Sequence, residues 1–427
     1  MLSFQLLQIL SIGLLVLGVF HYLRKNDEIP LILALFYYAI AIARYSLIQE
    51  GVIDYVVVNY TIDIFDLNDA SAVLAMNYMF LGTLVLTVFY MRFTSGYQKK
   101  HRQPIDNEQK LSEFISKKST YITGGFLVFL VVNAALSGTQ SGPLALGQGY
   151  LNLLKFGLGG FNLLMALILI SGSLKSKQKV TIIVFLIIGI VSSYSPTSRF
   201  VFLSWAIGIS FLIFKDMRPL RKLRYVLPGA IGLVLFFSLL GVARHSNLST
   251  MPWEEQLGLA AERTLKSEDQ NMLDGFMMVL DVYPKLLDYS MGAEHVEILL
   301  RPIPRSWWPG KPLGGYHNKL GLNDFDQGTV GISQSIYGSF YGEGGAIGII
   351  LFSIAYAKLL AWLFYLAKSY QSNLRFLIKG VIVASLIPLL RGGDLPGIYA
   401  FIGMSFWPAF IFIYSYNKFL KTSYVST

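Results

Sequence analysis

Residues 70–91 of this chain read ASAVLAMNYMFLGTLVLTVFYM, and these 22 consecutive residues include no charged side chain. A helix needs about 20 apolar residues to cross the hydrocarbon core of a bilayer, because each residue adds about 1.5 Å. Asp69 precedes the run and Arg92 follows it. The stretch therefore predicts a transmembrane helix with a polar group at each end.

Similar runs recur along the chain, which has 54% hydrophobic residues, 14% charged residues and a mean hydropathy of +0.54. This composition excludes a soluble globular protein. The sequence predicts an all-α polytopic membrane protein with about eleven transmembrane helices. Helices one to eight are expected in residues 1–243 and helices nine to eleven in residues 336–427. Between them, residues 244–335 are expected to form one large extracytoplasmic loop with amphipathic helices and a cationic motif.

The charges between the spans predict the topology. Arg24 and Lys25 follow the first span, the loop 50–69 is acidic without Lys or Arg, and residues 92–118 are strongly basic. Basic loops remain on the cytoplasmic side of a membrane. The alternation predicts a multi-pass protein of the cytoplasmic membrane with the N-terminus outside and the C-terminus inside. The net charge of +10 then reports topology, and we expect no nucleic-acid partner.

Metal and thiol chemistry are not expected from this composition. The chain has no cysteine, which excludes disulfides and thiolate ligands, and its five histidines lack ligand spacing. We therefore expect no metal and no cofactor.

Within the long loop, apolar residues at helical spacing predict an amphipathic helix over about 272–287. Asp274, Asp281 and Asp288 fall seven residues apart, so they could share one face. A solvated acidic stripe is the favoured interpretation, and a role in substrate binding is the alternative.

The most distinctive stretch of the loop is RPIPRSWWPGKP at 301–312. Four prolines exclude a regular helix, so we expect an ordered loop that holds three cations. Further cations lie on segments that are expected outside, where the positive-inside rule would deplete them. The full set is Arg199, Arg244, Arg301, Arg305, Lys311 and Arg391. Guanidinium groups match a diphosphate bidentately, so convergence on an anion is the hypothesis, and pairing with local acids is the alternative.

A family resemblance adds to this hypothesis. The run RPIPR at 301–305, with Trp308 and the Lys-Pro pair at 311–312, is followed by GIS at 331–333 and by YGEGG at 341–345. This set resembles the signature region of the bacterial O-antigen and capsular repeat-unit polymerases, the Wzy-type family. TSRF at 197–200 and LRG at 390–392 are similar to weaker features of that family.

The resemblance implies a metal-independent glycosyltransferase of the multi-span, GT-C-like class that uses polyprenyl-diphosphate sugars. It would transfer the growing glycan from one undecaprenyl diphosphate to a new lipid-linked repeat unit, at the outer face of the bacterial cytoplasmic membrane. The product would be O-antigen, capsule or exopolysaccharide. Its partners would be the lipid-linked oligosaccharide, the lipid bilayer and a protein that regulates chain length.

The resemblance also implies roles for individual residues. The predicted diphosphate-binding residues are Arg301, Arg305, Arg199, Arg244, Arg391 and Lys311. Lys311 would either supplement the arginines or anchor the loop to lipid headgroups. Trp307 and Trp308 would either stack on a sugar or lie in the aromatic belt at the membrane interface.

A sugar hydroxyl that attacks an anomeric carbon benefits from a general base. The candidate catalytic residues are Glu343, Asp394 and His317. Glycines beside Glu343 would let a ligand approach, or would serve helix packing alone. Asp394 is alternatively the salt-bridge partner of Arg391, so the sequence leaves the choice of base open.

Two other classes of function remain open from the sequence. A flippase or another transporter of lipid-linked oligosaccharides would also bury cations, but it should show inverted repeats and interrupted helices at matching positions. An O-antigen ligase would share the donor site and differ in its acceptor.

Overall fold

The computed structural model of the chain describes residues 1–56, 65–98, 106–137, 155–193, 199–242, 251–266, 271–301, 303, 307–310, 315–320 and 332–425. These residues are mostly helical, and their one β-type contact is an isolated bridge between Ser335 and Gly392. The α-helices, labelled in chain order, are α1 (Phe4–Lys25), α2 (Ile29–Tyr37), α3 (Arg44–Gln49), α4 (Asp69–Gln98), α5 (Glu108–Ser137), α6 (Leu158–Ser171), α7 (Ser176–Ser192), α8 (Arg199–Ile213), α9 (Pro219–Val242), α10 (Trp253–Lys266), α11 (Met272–Val282), α12 (Ala293–Leu300), α13 (Tyr316–Lys319), α14 (Ser335–Lys368), α15 (Leu374–Arg391) and α16 (Leu395–Val425).

Six helical segments in the described part of the chain are long and apolar enough to cross a membrane. They are Phe4–Lys25, Ile29–Gln49, Asp69–Tyr97, Glu108–Val132, Ser335–Lys368 and Leu395–Thr422. The second joins α2 to α3 through a π-helical turn at Tyr38–Ala43. The all-α polytopic class is therefore confirmed, whereas the count of eleven stays a prediction. The predicted fifth, sixth and seventh spans are helices of 14, 17 and 15 residues, shorter than the about 20 residues of a typical transmembrane helix.

The buried apolar side chains form two cores. The first joins α1 to α4 with α11 and α14, and the second joins α5 to α8 with α16. Helix α15 contributes to both. Its residues in the first core include Ile382, Leu386 and Leu389, and those in the second include Leu377, Val381 and Ala384.

Glycines set the closest helix contacts. A Cβ atom on Gly82 of α4 would lie 2.4 Å from the ring of Tyr337 in α14. On α15, a Cβ atom at Gly380 would lie 2.7 Å from the Cα of Gly208 in α8. Small residues let membrane helices approach to backbone contact, so these positions hold both cores together.

The segments predicted to be cytoplasmic meet at one end of the helices. Lys379 Nζ donates to the carbonyl oxygen of Asn26 at 3.0 Å, and Lys215 Nζ donates to the side chain of Asn373 at 2.9 Å. The Asn373 side chain also donates to Glu108 at 2.8 Å. Contacts between residues this distant in sequence bring separate connections into one polar layer.

Segments predicted to be extracytoplasmic meet at the other end, where α15 ends at Arg391, and we call this the Arg391 end. Gly392 pairs with Ser335 at the start of α14, and the backbone N–H of Asp66 donates to Asp281 at 2.9 Å. Because α14 begins here and α16 begins three residues after Gly392, this end combines helix N-termini with the long-loop region.

Helix α11 corrects the predicted amphipathic helix. Every residue from Met272 to Leu280 is buried, and Asp274 is fully buried beside Arg44. Arg44 Nε donates to Asp274 Oδ2 at 2.6 Å, and its Nη2 contacts the same oxygen. A Cβ atom on Gly275 would lie 2.2 Å from the carbonyl oxygen of Ser333. The prediction of a solvated acidic stripe is therefore wrong at Asp274, because Arg44 on the second candidate span pairs with its carboxylate inside the protein.

Helix α14 is broken at its paired glycines. Gly344 has φ −179° and ψ 32°, and Gly345 has φ 61° and ψ −145°. The conformation of Gly345 favours glycine, and a Cβ atom there would lie 2.9 Å from the hydroxyl of Tyr289. The break lies within a candidate span, and irregular backbone at membrane depth is tolerated where it is buried in protein or lines a water-filled cavity.

Candidate functional site

A cavity of about 260 Å³ opens at the Arg391 end, between the end of α15 and the start of α16. Its lining residues are Ser333, Pro388, Arg391, Gly392, Asp394, Gly397, Ile398 and Phe401. Helix α16 is 31 residues long, and the unpaired N–H groups of a helix N-terminus carry a partial positive charge. Together with Arg391, this charge makes the cavity suited to an anion.

Arg301 approaches this cavity from α12. Its Nη1 lies 3.5 Å from Oδ2 of Asp394, and both side chains are accessible, at 41% and 35% exposure. An ion pair in contact with water is weak. An incoming anion can therefore compete with Asp394 for the guanidinium of Arg301.

The other predicted diphosphate residues are placed only in part. Arg199 is the first residue of α8, and its side chain lies outside the described part of the structure. Arg244, Arg305 and Lys311 also lie outside the described residues. The structure thus brings Arg301 and Arg391 to one site, and convergence of the remaining four cations stays a prediction.

Two carboxyl groups on α12 lie beside a lysine of α13. Lys319 Nζ is 3.6 Å from Oε1 of Glu294 and 3.1 Å from the hydroxyl of Ser290. Burial raises the pKa of Glu294 to about 8, although Lys319 opposes the shift. Burial also raises the pKa of Glu297. Glu294 is therefore neutral at pH 7 and can donate a hydrogen bond.

Glu343, one of the three candidate bases, lies at the break in α14. Its side chain is fully buried, and both of its carboxylate oxygens accept hydrogen bonds. One bond comes from the backbone N–H of Gly292 and the other from His295, 2.7 Å away. This arrangement ties Glu343 to α12.

Asp394, the second candidate, pairs with Arg301 and lies at the start of α16. Its backbone carbonyl accepts the N–H of Ile398 at 3.0 Å. A Cβ atom on Gly397 would lie 2.6 Å from its Oδ2, so the carboxylate packs against the first turn of the helix.

His317, the third candidate, is a buried imidazole on α13. Burial lowers the pKa of His317 to about 4, so its ring is neutral at pH 7. The ring stacks on Tyr316 at a centroid distance of 3.8 Å. Its Nε2 is buried and has no hydrogen-bond partner among the described residues. A neutral imidazole with an unused ring nitrogen can accept a proton.

The two tryptophans differ in exposure. Trp307 is 81% exposed and Trp308 is 39% exposed. Both positions are open to a sugar or to a membrane interface, so the two alternatives for their role remain.

Sequence reasoning missed His295 and Lys319, which contact Glu343 and Glu294. One local signal was available, because Glu294, Glu297 and Arg301 follow an i, i+3, i+7 spacing that places them on one helix face. Nothing in the sequence indicates the partners of His295, which lie 48 and 61 residues away.

Comparison of the chain with known protein families, characterised proteins and solved structures gives no match. The resemblance to the Wzy-type polymerases therefore stays a prediction. The six candidate spans and the cavity at the Arg391 end define the class, a polytopic α-helical membrane protein with a pocket at one end whose lining includes Arg391 and Asp394.

Proposed function

We propose that this protein polymerises lipid-linked oligosaccharide repeat units, as a metal-independent glycosyltransferase that uses polyprenyl-diphosphate sugars. One observation carries the proposal: a cavity of about 260 Å³ lies at the N-terminus of α16, with Arg391 in its wall and Arg301 paired to its Asp394. Two guanidinium groups and a helix N-terminus suit a diphosphate better than a neutral sugar.

In this proposal the donor diphosphate displaces Asp394 from Arg301 and binds between Arg301 and Arg391. A hydroxyl of the new repeat unit forms a bond to the anomeric carbon of the donor. The bond from that carbon to the diphosphate oxygen breaks, and its electron pair stays on the diphosphate. The two arginines stabilise this charge, since fixed cations act on charge that develops in the transition state.

His317 is the proposed proton acceptor for the attacking hydroxyl. Its Nε2, which has no hydrogen-bond partner among the described residues, favours it over Glu343, whose two oxygens are already bonded. Asp394 is engaged with Arg301, and in this proposal it holds the cation in place until the diphosphate arrives.

The proposed topology follows the charge alternation: eleven spans, the N-terminus outside, the C-terminus inside, and the Arg391 end at the outer face of a bacterial cytoplasmic membrane. A regulator of chain length is a proposed protein partner. The grouping of the connections into two ends supports this arrangement.

The test uses purified protein in nanodiscs with undecaprenyl-diphosphate-linked repeat units, and it follows product length on a gel. We expect a ladder for the wild type and single units for Arg301→Ala and for Arg391→Ala. Arg375→Ala is the matched control, because Arg375 lies on α15 near the end opposite Arg391. Normal ladders from both arginine variants at the pocket would contradict the proposal.

A flippase is the second candidate, because transporters also use interrupted helices and α14 is interrupted at Gly344 and Gly345. A flippase forms no glycosidic bonds, so a ladder of products in nanodiscs selects the polymerase. Movement of the lipid-linked unit across a proteoliposome membrane without new glycosidic bonds selects the flippase. Transfer of finished glycan to a different lipid acceptor selects the ligase.

A further inference from the structure

The segment before α12 is attached to the break in α14. The backbone N–H of Ser290 donates to the carbonyl oxygen of Gly342 at 2.9 Å, and that of Met291 donates to the carbonyl oxygen of Glu343 at 2.9 Å. The next N–H, on Gly292, donates to the Glu343 side chain. Three successive amides thus bond to two residues at the end of the first half of α14.

His295, on the first turn of α12, adds a side-chain link. Its Nδ1 lies 2.7 Å from Glu343 Oε1, and its Nε2 lies 3.2 Å from the hydroxyl of Tyr356. Tyr399 of α16 donates to that hydroxyl at 2.9 Å. The hydroxyl of Tyr356 is thereby left to donate to Nε2, so a neutral His295 carries its proton on Nδ1 and donates it to Glu343.

Helix α12 connects this link to the cavity. Its eight residues span about 12 Å at 1.5 Å each, and Arg301 caps its C-terminal end beside Asp394. Four carboxyl groups, those of Glu294, Glu297, Glu343 and Asp394, lie close to one another around this helix. A helix of eight residues is marginal on its own, so the position of its last residue depends on its attachments.

We propose that His295 and Glu343 are positioning residues that fix α12 against the break in α14 and so hold Arg301 at the anion cavity. Neither residue reaches the reacting atoms in this scheme, because the buried carboxylate of Glu343 uses both oxygens within the protein. The role of Arg301 in binding diphosphate rests on the proposed function, whereas the attachment of α12 to α14 does not.

The attachment can be measured without any substrate. The chain has no cysteine, so spin labels at Val296→Cys and Ile347→Cys report only on α12 and on the second half of α14. Both positions are exposed. We expect a narrow distance distribution, which His295→Phe broadens because it removes both hydrogen bonds. The Phe ring retains the stacking on Phe352, whose centroid lies 4.1 Å from that of His295.

Two further variants separate attachment from general damage. His295→Gln keeps an amide donor for Glu343 and should restore much of the narrow distribution. Phe352→Leu removes the stacking and leaves the hydrogen bonds, so it should retain the narrow distribution. If His295→Phe fails to fold, Glu343→Gln gives the same test, because it removes the charge and retains the shape.

Binding of farnesyl diphosphate, a short polyprenyl diphosphate, then tests the consequence for Arg301. Loss of a hydrogen bond to a charged group predicts about tenfold weaker binding for His295→Phe and near-normal binding for His295→Gln. Unchanged distances and unchanged binding in both His295→Phe and Glu343→Gln would overturn the inference. If the wild type does not bind the probe but the distances broaden as expected, the proposed function fails and the positioning role stands.

Discussion

Replacement of Arg44 by Met should destabilise the protein strongly. Arg44 and Asp274 are 3% and 0% exposed, and two guanidinium nitrogens contact one carboxylate oxygen. The other oxygen of Asp274 has no partner among the described residues, so loss of Arg44 leaves a buried carboxylate uncompensated. Removing one partner of a buried pair costs about 3–5 kcal/mol.

The same reasoning predicts that the double variant Arg44→Met with Asp274→Asn recovers most of this loss, because no unpaired charge remains. The assay is reversible unfolding in mixed micelles of SDS and a mild detergent, followed by circular dichroism. Each variant gives a free energy of unfolding, and the four proteins form a double-mutant cycle. If Arg44→Met costs less than about 1 kcal/mol, or if the two single losses simply add, the reasoning about this buried pair is wrong.

Three other predictions concern the site. The pKa of Glu294 rises from 4.5 to about 8 on folding, so the folded state binds the proton more tightly. As the pH rises from 5 to 8, the free energy of unfolding should therefore fall by up to about 1.4 kcal/mol per pH unit, and it should level off above pH 8. Glu294→Gln should flatten this slope. Gly345→Ala should cost about 1–2 kcal/mol from its positive φ, with a further clash against Tyr289. The pKa of His317 is about 4, so the rate of glycosyl transfer should fall on the acid side with a midpoint near pH 4 and not near 6.5. His317→Ala should lower kcat more than it raises KM.

Each of these has a control. Thermal unfolding of Glu113→Gln, an exposed carboxyl variant on α5, should keep the wild-type pH slope. Gly232→Ala on α9 meets no neighbouring atom and should be nearly neutral in the mixed-micelle assay. If the transfer rate of His317→Ala still falls with the same midpoint at low pH, another group is responsible for that pH dependence.

The helical class was predictable because it depends on local composition. Runs without charge, such as residues 70–91, are long enough to predict spans without knowledge of their partners, and α4 occupies this run. Charge alternation divides the connections into two predicted sets, and the contacts of Lys379 and of Gly392 each lie within one set. The side of the membrane on which each set lies stays a prediction.

Pairings across the chain were not predictable. The spacing of Asp274 suited a solvated face, and its burial depends on Arg44, which is 230 residues away. No local pattern indicates a role for His295, because its two hydrogen-bond partners, Glu343 and Tyr356, lie on another helix. The glycine pair after Glu343 was visible, but whether a glycine pair bends, breaks or merely packs a helix is decided by neighbours such as Tyr289.

Helix α15 has one face in each hydrophobic core, and Arg391 is its last residue. Such a helix couples the two cores, because its side chains are buried in both. Gly380 of the same helix contacts Gly208 of α8, and no side chain separates the two backbones. This contact leaves little room for α8 and α15 to slide past each other. Arg391, which lines the anion cavity, is therefore carried on a helix that side chains of both cores hold in place.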